Sequence, residues 1–253
     1  MLDSETAQRM LTLTTEYWDA HVKNLDFVGL ASGKEIGHRI AQYVDEHTTK
    51  LIIDSFSTTR QYSKNGKLMP RSMGDVWVFS NGIYNPINVK AGEANKKGQP
   101  NMVALKRLLQ GLLLHQIDSY YLLIVKVMLK DKIHPFVYLV DILDHLEYVT
   151  YNAGPGQIML KERQFYQAME AKVETSQLEV SDGGGTGILT LPTLTLDDKI
   201  AKLFEMLMDG DRRLLADRNR VRAKFEKLLE THRTEQERSM NQSALNLKPD
   251  RES

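Results

Sequence analysis

Residues 74–92, GDVWVFSNGIYNPINVKAG, decide the fold. Asp75 to Phe79 is a short run of β-branched and aromatic residues that suits a strand. Ser80-Asn81-Gly82 is a turn signal, because Asn and Gly accept the positive φ that a tight hairpin needs. Ile83 to Lys90 then reads as the returning strand. Asn88 and Lys90 lie two residues apart on it, so their side chains share one face. Pairing back across the short turn brings Asp75 near Asn88. An acid, an amide oxygen and a lysine are thus predicted to converge at the open end of the hairpin. Lys90 is either a surface lysine at a strand end or a residue that points into a site.

The surroundings predict a mixed α/β or α+β sheet. Residues 3–23 have helical spacing through Met10, Leu13, Tyr17 and Trp18. A second helix is expected from Ser32 to about Thr48, with Ile36, Ile40, Tyr43 and Val44 on one face. KLIIDSF, residues 50–56, reads as a short strand, and SKNGKLMP, residues 63–70, as a loop. NMVALKRLLQGLLL, residues 101–114, reads as a helix. SYYLLIVKVML and HPFVYLVDIL read as strands, the first apolar enough for a central strand covered on both sides. YNAGPGQIMLKERQFYQAM reads as a loop into a strand and a helix, and SDGGGTG as a flexible link. From Asp197 to about Ser239 the pattern is helical. Ile200, Leu207, Leu214, Val221 and Leu228 recur every seven residues, and Phe204, Asp211, Arg218 and Phe225 fill the intervening seam. The expected organisation is a core over residues 1–190 and a helical extension over 191–253 ending in a polar, disordered tail.

Composition narrows the class. With 42% hydrophobic and 26% charged residues the 253-residue chain fits a soluble globular protein. It has no cysteine, which removes disulfides and thiolate metal sites. No basic start followed by an apolar run is visible, and the most apolar stretch is interrupted by His115, Asp118 and Lys126, so the expected location is the cytoplasm. A net charge of zero neither suggests nor excludes nucleic acid, for which a local basic patch matters.

An acid, a second oxygen ligand and a lysine at one strand end suit metal-dependent phosphodiester cleavage. Hard oxygens hold Mg²⁺, and a lysine orients or deprotonates the attacking water and offsets developing charge. The pattern "GD", then "NVK" at residues 88–90, resembles the PD-(D/E)XK nuclease motif, and its layout over about residues 30–170 is similar to type II restriction endonucleases of the EcoRV- and HpaI-like groups. The resemblance implies a PD-(D/E)XK restriction-endonuclease-like core, with double-stranded DNA as substrate, Mg²⁺ as cofactor (Mn²⁺ substituting) and a homodimer. It implies that Asp75, Asn88 and the Val89 carbonyl hold the metal and that Lys90 positions the water. An acid from the helix before the core, here Glu35, would be an extra ligand.

Two positions depart from the family pattern. Gly74 stands where proline is usual, and Asn88 where an acid is usual. MspI-like enzymes have Asn-x-Lys here, so Asn88 is either native or an inactivating Asp-to-Asn change, and the sequence leaves both open. A junction-resolving or repair nuclease, or a degenerate DNA-binding protein on the same core, are the alternatives.

Asn95, Lys96, Lys97, Gln99 and Asn101 supply donors suited to phosphates and base edges, against the plainer reading of a polar loop. Glu93 reads as a loop residue rather than a ligand. The seven histidines have no metal spacing. The dense arginines after Arg212 are interleaved with acids, which suits a solvated face, a packing partner or DNA backbone.

Overall fold

Asn81 and Gly82 adopt φ of 50° and 78° and close a two-residue hairpin turn. This hairpin is the centre of a computed structural model that describes residues 1–21, 36–59, 73–93, 101–127, 135–161, 164–165, 167–168, 186–188 and 194–245. In chain order the elements are α1 (Ser4–His21), α2 (Ile36–Ser55), β1 (Thr58–Thr59), β2 (Val76–Ser80), β3 (Ile83–Glu93), β4 (Asn101–Ala104), α3 (Leu105–Leu113), β5 (Tyr121–Val127), β6 (Pro135–Asp141), β7 (Val149–Asn152), β8 (Gln157–Leu160), β9 (Thr186–Ile188) and α4 (Leu196–Leu245). Short 3₁₀ turns follow β6.

The main sheet is mixed, with strand order β1-β2-β3-β5-β6-β9. β2 pairs antiparallel with β3 from Ser80↔Ile83 to Val76↔Ile87. β3 then pairs parallel with β5 from Ile87↔Tyr121 to Glu93↔Val127, which requires a crossover, and α3 lies on it. Pro86 precedes the first residue paired with β5, so its missing N–H costs that ladder nothing. A second, antiparallel sheet has the order β4-β8-β7.

Both faces of the main sheet are covered. Val76, Val78, Ile87, Val89, Leu123 and Val125 pack with Met10, Trp18, Val44 and Ile52 of α1 and α2. The alternate residues, among them Trp77, Leu122, Ile124, Tyr138 and Val140, pack with Leu105, Leu108 and Leu112 of α3 and with the small sheet. From Leu122 to Val125 β5 is therefore apolar on both sides, as a doubly covered strand must be. Each large side chain buried completely contributes about 1.5–3 kcal/mol. Trp18 also donates its Nε1–H to Thr48 Oγ1 at 2.9 Å, fixing α1 on α2.

The hairpin, α1, β5, β6 and the long C-terminal helix agree with the expectations from sequence. Three elements differ. KLIIDSF is not a strand, because α2 continues through Ser55. Val44, Thr48 and Ile52, each fully buried and four apart, keep one helix face turned to the core, and this outweighs the β-branched pair Ile52-Ile53. Asn101–Ala104 is strand rather than helix, because it pairs with β8, and α3 begins only at Leu105. Thr186 and Gly187, expected to be part of a flexible link, are strand, because they pair with Val137 and Tyr138 of β6. The Ser32 cap, the 63–70 loop, residues 181–185 of the glycine-rich link and the tail beyond Leu245 lie outside the described residues.

The chain divides into two compact units, Met1–Leu207 and Met208–Ser253. The start of α4 belongs to the first. Thr195 and Asp198 form a reciprocal cap: the Asp198 N–H donates to Thr195 Oγ1, and the Thr195 N–H to Asp198 Oδ2. Leu203 is buried in the core beside α3 and the small sheet. Lys199, 2% exposed, lies 2.9 Å from Asp144 Oδ1 and 3.5 Å from Asp141 Oδ2. The second unit is helical from Met208 to Leu245. No helix among the described residues is long and apolar enough to cross a membrane.

Candidate active site

β3 outruns β2, and the site forms where it does. The last β2–β3 pair is Val76↔Ile87, so Asp75 lies just beyond the paired part of the hairpin, alongside the continuing β3. Beyond that point the backbone donors of β3 on the β2 side have no strand to meet, and a buried N–H needs another acceptor. Two carboxylates supply it. The Val89 N–H donates to Asp75 Oδ2 at 2.8 Å, and the Ala91 N–H donates to the Asp45 carboxylate. Asp75 is anchored in turn by its own N–H, which donates to the Ile87 carbonyl at 2.9 Å.

Gly74 makes this approach possible. A Cβ there would sit 2.8 Å from the Ile87 carbonyl oxygen and 2.9 Å from the Ile87 nitrogen. Both neighbours are backbone and cannot rotate away. Glycine at the position before Asp75 is therefore demanded by the close packing of this turn of chain on β3.

Asn88 and Lys90 alternate with Ile87 and Val89 along β3. Ile87 and Val89 enter the α1–α2 core, so Asn88 and Lys90 take the other face. Lys90 is half-buried, Asp75 is exposed and Asn88 is buried. The Asn88 Nδ2 donates to the Met102 carbonyl at a long 3.5 Å, while its Oδ1 has no hydrogen-bond partner. The Tyr120 hydroxyl, completely buried, lies beside this amide and has no satisfied hydrogen bond of its own. Its phenol is pushed far above its usual range, first by burial and then by the Asp75 charge.

Asp45 is the residue that sequence reasoning missed. It stands on α2, next to the buried Val44, and feels both the Lys90 ammonium and the Asp75 carboxylate. Burial raises its pKa to about 7, with Asp75 and Glu46 raising it further against lowering by Lys90 and by the Ala91 N–H. Its Oδ1 is buried without a partner. Nothing local in the sequence marks it, since its contacts come from a strand some forty-five residues away. Glu35, the acid expected from this helix, lies outside the described residues.

Asn95, Lys96, Lys97 and Gln99 also lie outside them. Asn101 opens β4 opposite Met159. Glu93 ends β3 opposite Val127, so its backbone is strand rather than loop.

The oxygen set suits a hard divalent cation. Magnesium typically takes one or two carboxylates and fills the remaining positions with water and phosphate oxygens. Asp75 is one such carboxylate, and the orphaned Asn88 Oδ1 is a buried acceptor of the right kind. No group of three or more His, Cys, Asp or Glu side chains among the described residues is placed to hold a metal, so the amide and backbone oxygens would have to contribute.

Neither a protein-family model nor a curated protein sequence matches this chain.

Proposed function

We propose that this chain is a metal-dependent endonuclease with a PD-(D/E)XK-type core, acting on double-stranded DNA as a type II restriction endonuclease. The observation that carries the reading is the β2–β3 register. It ends at Val76↔Ile87 and leaves Asp75 beside the continuing β3, with its carboxylate on the Val89 N–H and with Asn88 and Lys90 two apart on one face of that strand. The order of elements supports it as well: a helix, an antiparallel hairpin with a short third strand, a helix, and a strand parallel to β3.

In this reading Asp75, Asn88 Oδ1 and the Val89 carbonyl would hold Mg²⁺, and Mn²⁺ would replace it. The metal supplies Lewis-acid polarisation of the scissile phosphate and a lowered pKa for bound water. Lys90 holds the attacking water in line and offsets charge as the phosphate becomes more negative. The Val89 N–H keeps Asp75 in one orientation, so little reorganisation is needed at the moment of reaction. Asp45 balances the Lys90 charge at the base of the site. Two copies would be required to cut both strands, and a two-fold dimer would match a palindromic site. A cytoplasmic location belongs to the same reading.

The test is digestion of a long duplex of known sequence with Mg²⁺ or Mn²⁺, followed by sequencing of the ends. Discrete ends at one short motif support the proposal. Cutting only at junctions or damaged sites indicates a resolving or repair nuclease on the same core. Binding without cutting in either metal indicates a DNA-binding protein whose site has lost its chemistry.

A further inference from the structure

We propose that the second unit, residues 208–245, is an interaction surface for a second copy of this chain, joined as an antiparallel two-helix seam. Every side chain from Leu215 to Met240 is exposed, including Leu215 at 59%, Phe225 at 61% and Leu229 at 57%. Helices draw most of their stability from packing an apolar face, so so many exposed large apolar residues on one helix call for a partner.

The apolar residues form one stripe. Leu214, Val221 and Leu228 repeat every seven residues, Phe225 fills the intervening position, and Leu215 and Leu229 widen the stripe on one side. Two of the ion pairs within the helix, Arg212–Asp209 and Arg220–Asp217, lie off it, and Arg222, paired with Glu226, sits on its edge between Leu215 and Leu229.

Charge selects the partner and its direction. Arg218 and Glu235 occupy seam positions. In a parallel pair each would meet its own copy, like charge against like. In an antiparallel pair with Phe225 against Leu228 of the second copy, the same count sets Arg218 against Glu235 of that copy, and Asp217 beside its Arg238. This register also lays the basic stretch 212–227 along residues 226–241, where Glu226, Glu230, Glu235 and Glu237 outnumber Lys227, Arg233 and Arg238. Met208 comes level with Leu245, so the helical part of the unit overlaps along its whole length.

The area suffices. Thirty-eight residues of helix run about 57 Å. A stripe about 10 Å wide over that length buries roughly 1,100 Å² in total, which clears the approximate 1,000 Å² expected of a specific interface.

This inference goes beyond the nuclease reading and does not depend on it, because mass and cross-linking report it without any cleavage. The chain has no cysteine, so introduced ones are unambiguous. The full-length double variant Arg218→Cys/Glu235→Cys should give a covalent dimer on mild oxidation, and neither single variant should. On one helix the two positions are about 25 Å apart, so the bond cannot close within a chain. Arg218→Glu should weaken dimerisation at least tenfold by sedimentation, and Arg218→Glu/Glu235→Arg should restore it. Cross-linking by Arg218→Cys alone would show a parallel pair and overturn the proposal. A monomeric mass for the unaltered chain with no cross-linking by any variant would overturn it too, leaving the stripe to the chain's own core or to a different partner.

Discussion

The Val89 N–H donates to the Asp75 carboxylate at 2.8 Å. This one contact joins the start of the first hairpin strand to the middle of the second, beyond the last strand pair. It serves as a strand-end cap, and it also fixes the direction of an acid beside Asn88 and Lys90.

Gly74→Ala should disturb that contact first. Its Cβ would press on Ile87 backbone atoms at 2.8 and 2.9 Å, so Asp75 must move. The expected loss of stability is about 1–3 kcal/mol by urea unfolding, by analogy with overpacked cores. Cleavage should fall along with it. An unchanged urea midpoint with full activity would show that the turn relaxes freely.

Asp141 gives a pH dependence away from the site. It accepts from the N–H groups of Tyr120 and Leu143 and sits near Lys199. Burial raises its pKa from 3.8 to about 6, with Asp144 also raising it, against lowering by Lys199 and the Tyr120 and Leu143 N–H groups. A folded pKa above the unfolded one contributes stability that is fully present below about pH 4 and is lost as pH rises through about 6. Asp141→Asn removes this term. The stability of the unaltered protein relative to the variant should therefore drop by roughly 2–3 kcal/mol between pH 4 and pH 7. Chemical denaturation at both pH values measures it, and an equal difference at the two would contradict the assignment.

Tyr120→Phe should cost less than about 1 kcal/mol, or stabilise. The hydroxyl is buried without a satisfied hydrogen bond, and removing an unpaired buried polar group relieves its desolvation penalty. A loss above about 2 kcal/mol would mean that the hydroxyl holds the Asn88 amide in place.

Much of this was legible in the sequence because it rests on local rules. Asn81-Gly82 announces its turn, and pairing back across a short turn is enough to bring Asp75 to the part of β3 that carries Asn88. The period of seven marks the last helix. The misreadings came where tertiary packing decides. Ile52-Ile53 looks like a strand until Trp18 and the sheet are there to receive Val44, Thr48 and Ile52. Asn101–Ala104 looks helical until β8 pairs with it. Asp45 is invisible because the groups that make it special, Lys90, Ala91 and Asp75, reach it only through the fold. The buried cluster of Lys199 with Asp141 and Asp144 was hidden for the same reason.

Asn88→Asp probes whether the amide is native to the site. An added carboxylate here would strengthen the attraction for a bound Mg²⁺. If the asparagine is an inactivating change, single-turnover cleavage with Mg²⁺ should rise about 100-fold or more, a change of roughly 3 kcal/mol. Equal rates, or a faster asparagine form, would show a site tuned to one fewer charge, with repulsion from Asp75 opposing the new acid.

Lys90→Ala tests the central proposal most directly, in single-turnover cleavage of one cognate duplex at fixed Mg²⁺, with binding of the same duplex measured in parallel. A lysine that acts in the chemical step contributes on the order of 3 kcal/mol or more there and little to the ground state. Cleavage should therefore disappear while affinity stays within about tenfold, or about 1.4 kcal/mol. Near-normal cleavage by the variant would remove Lys90 from the chemistry and contradict the account.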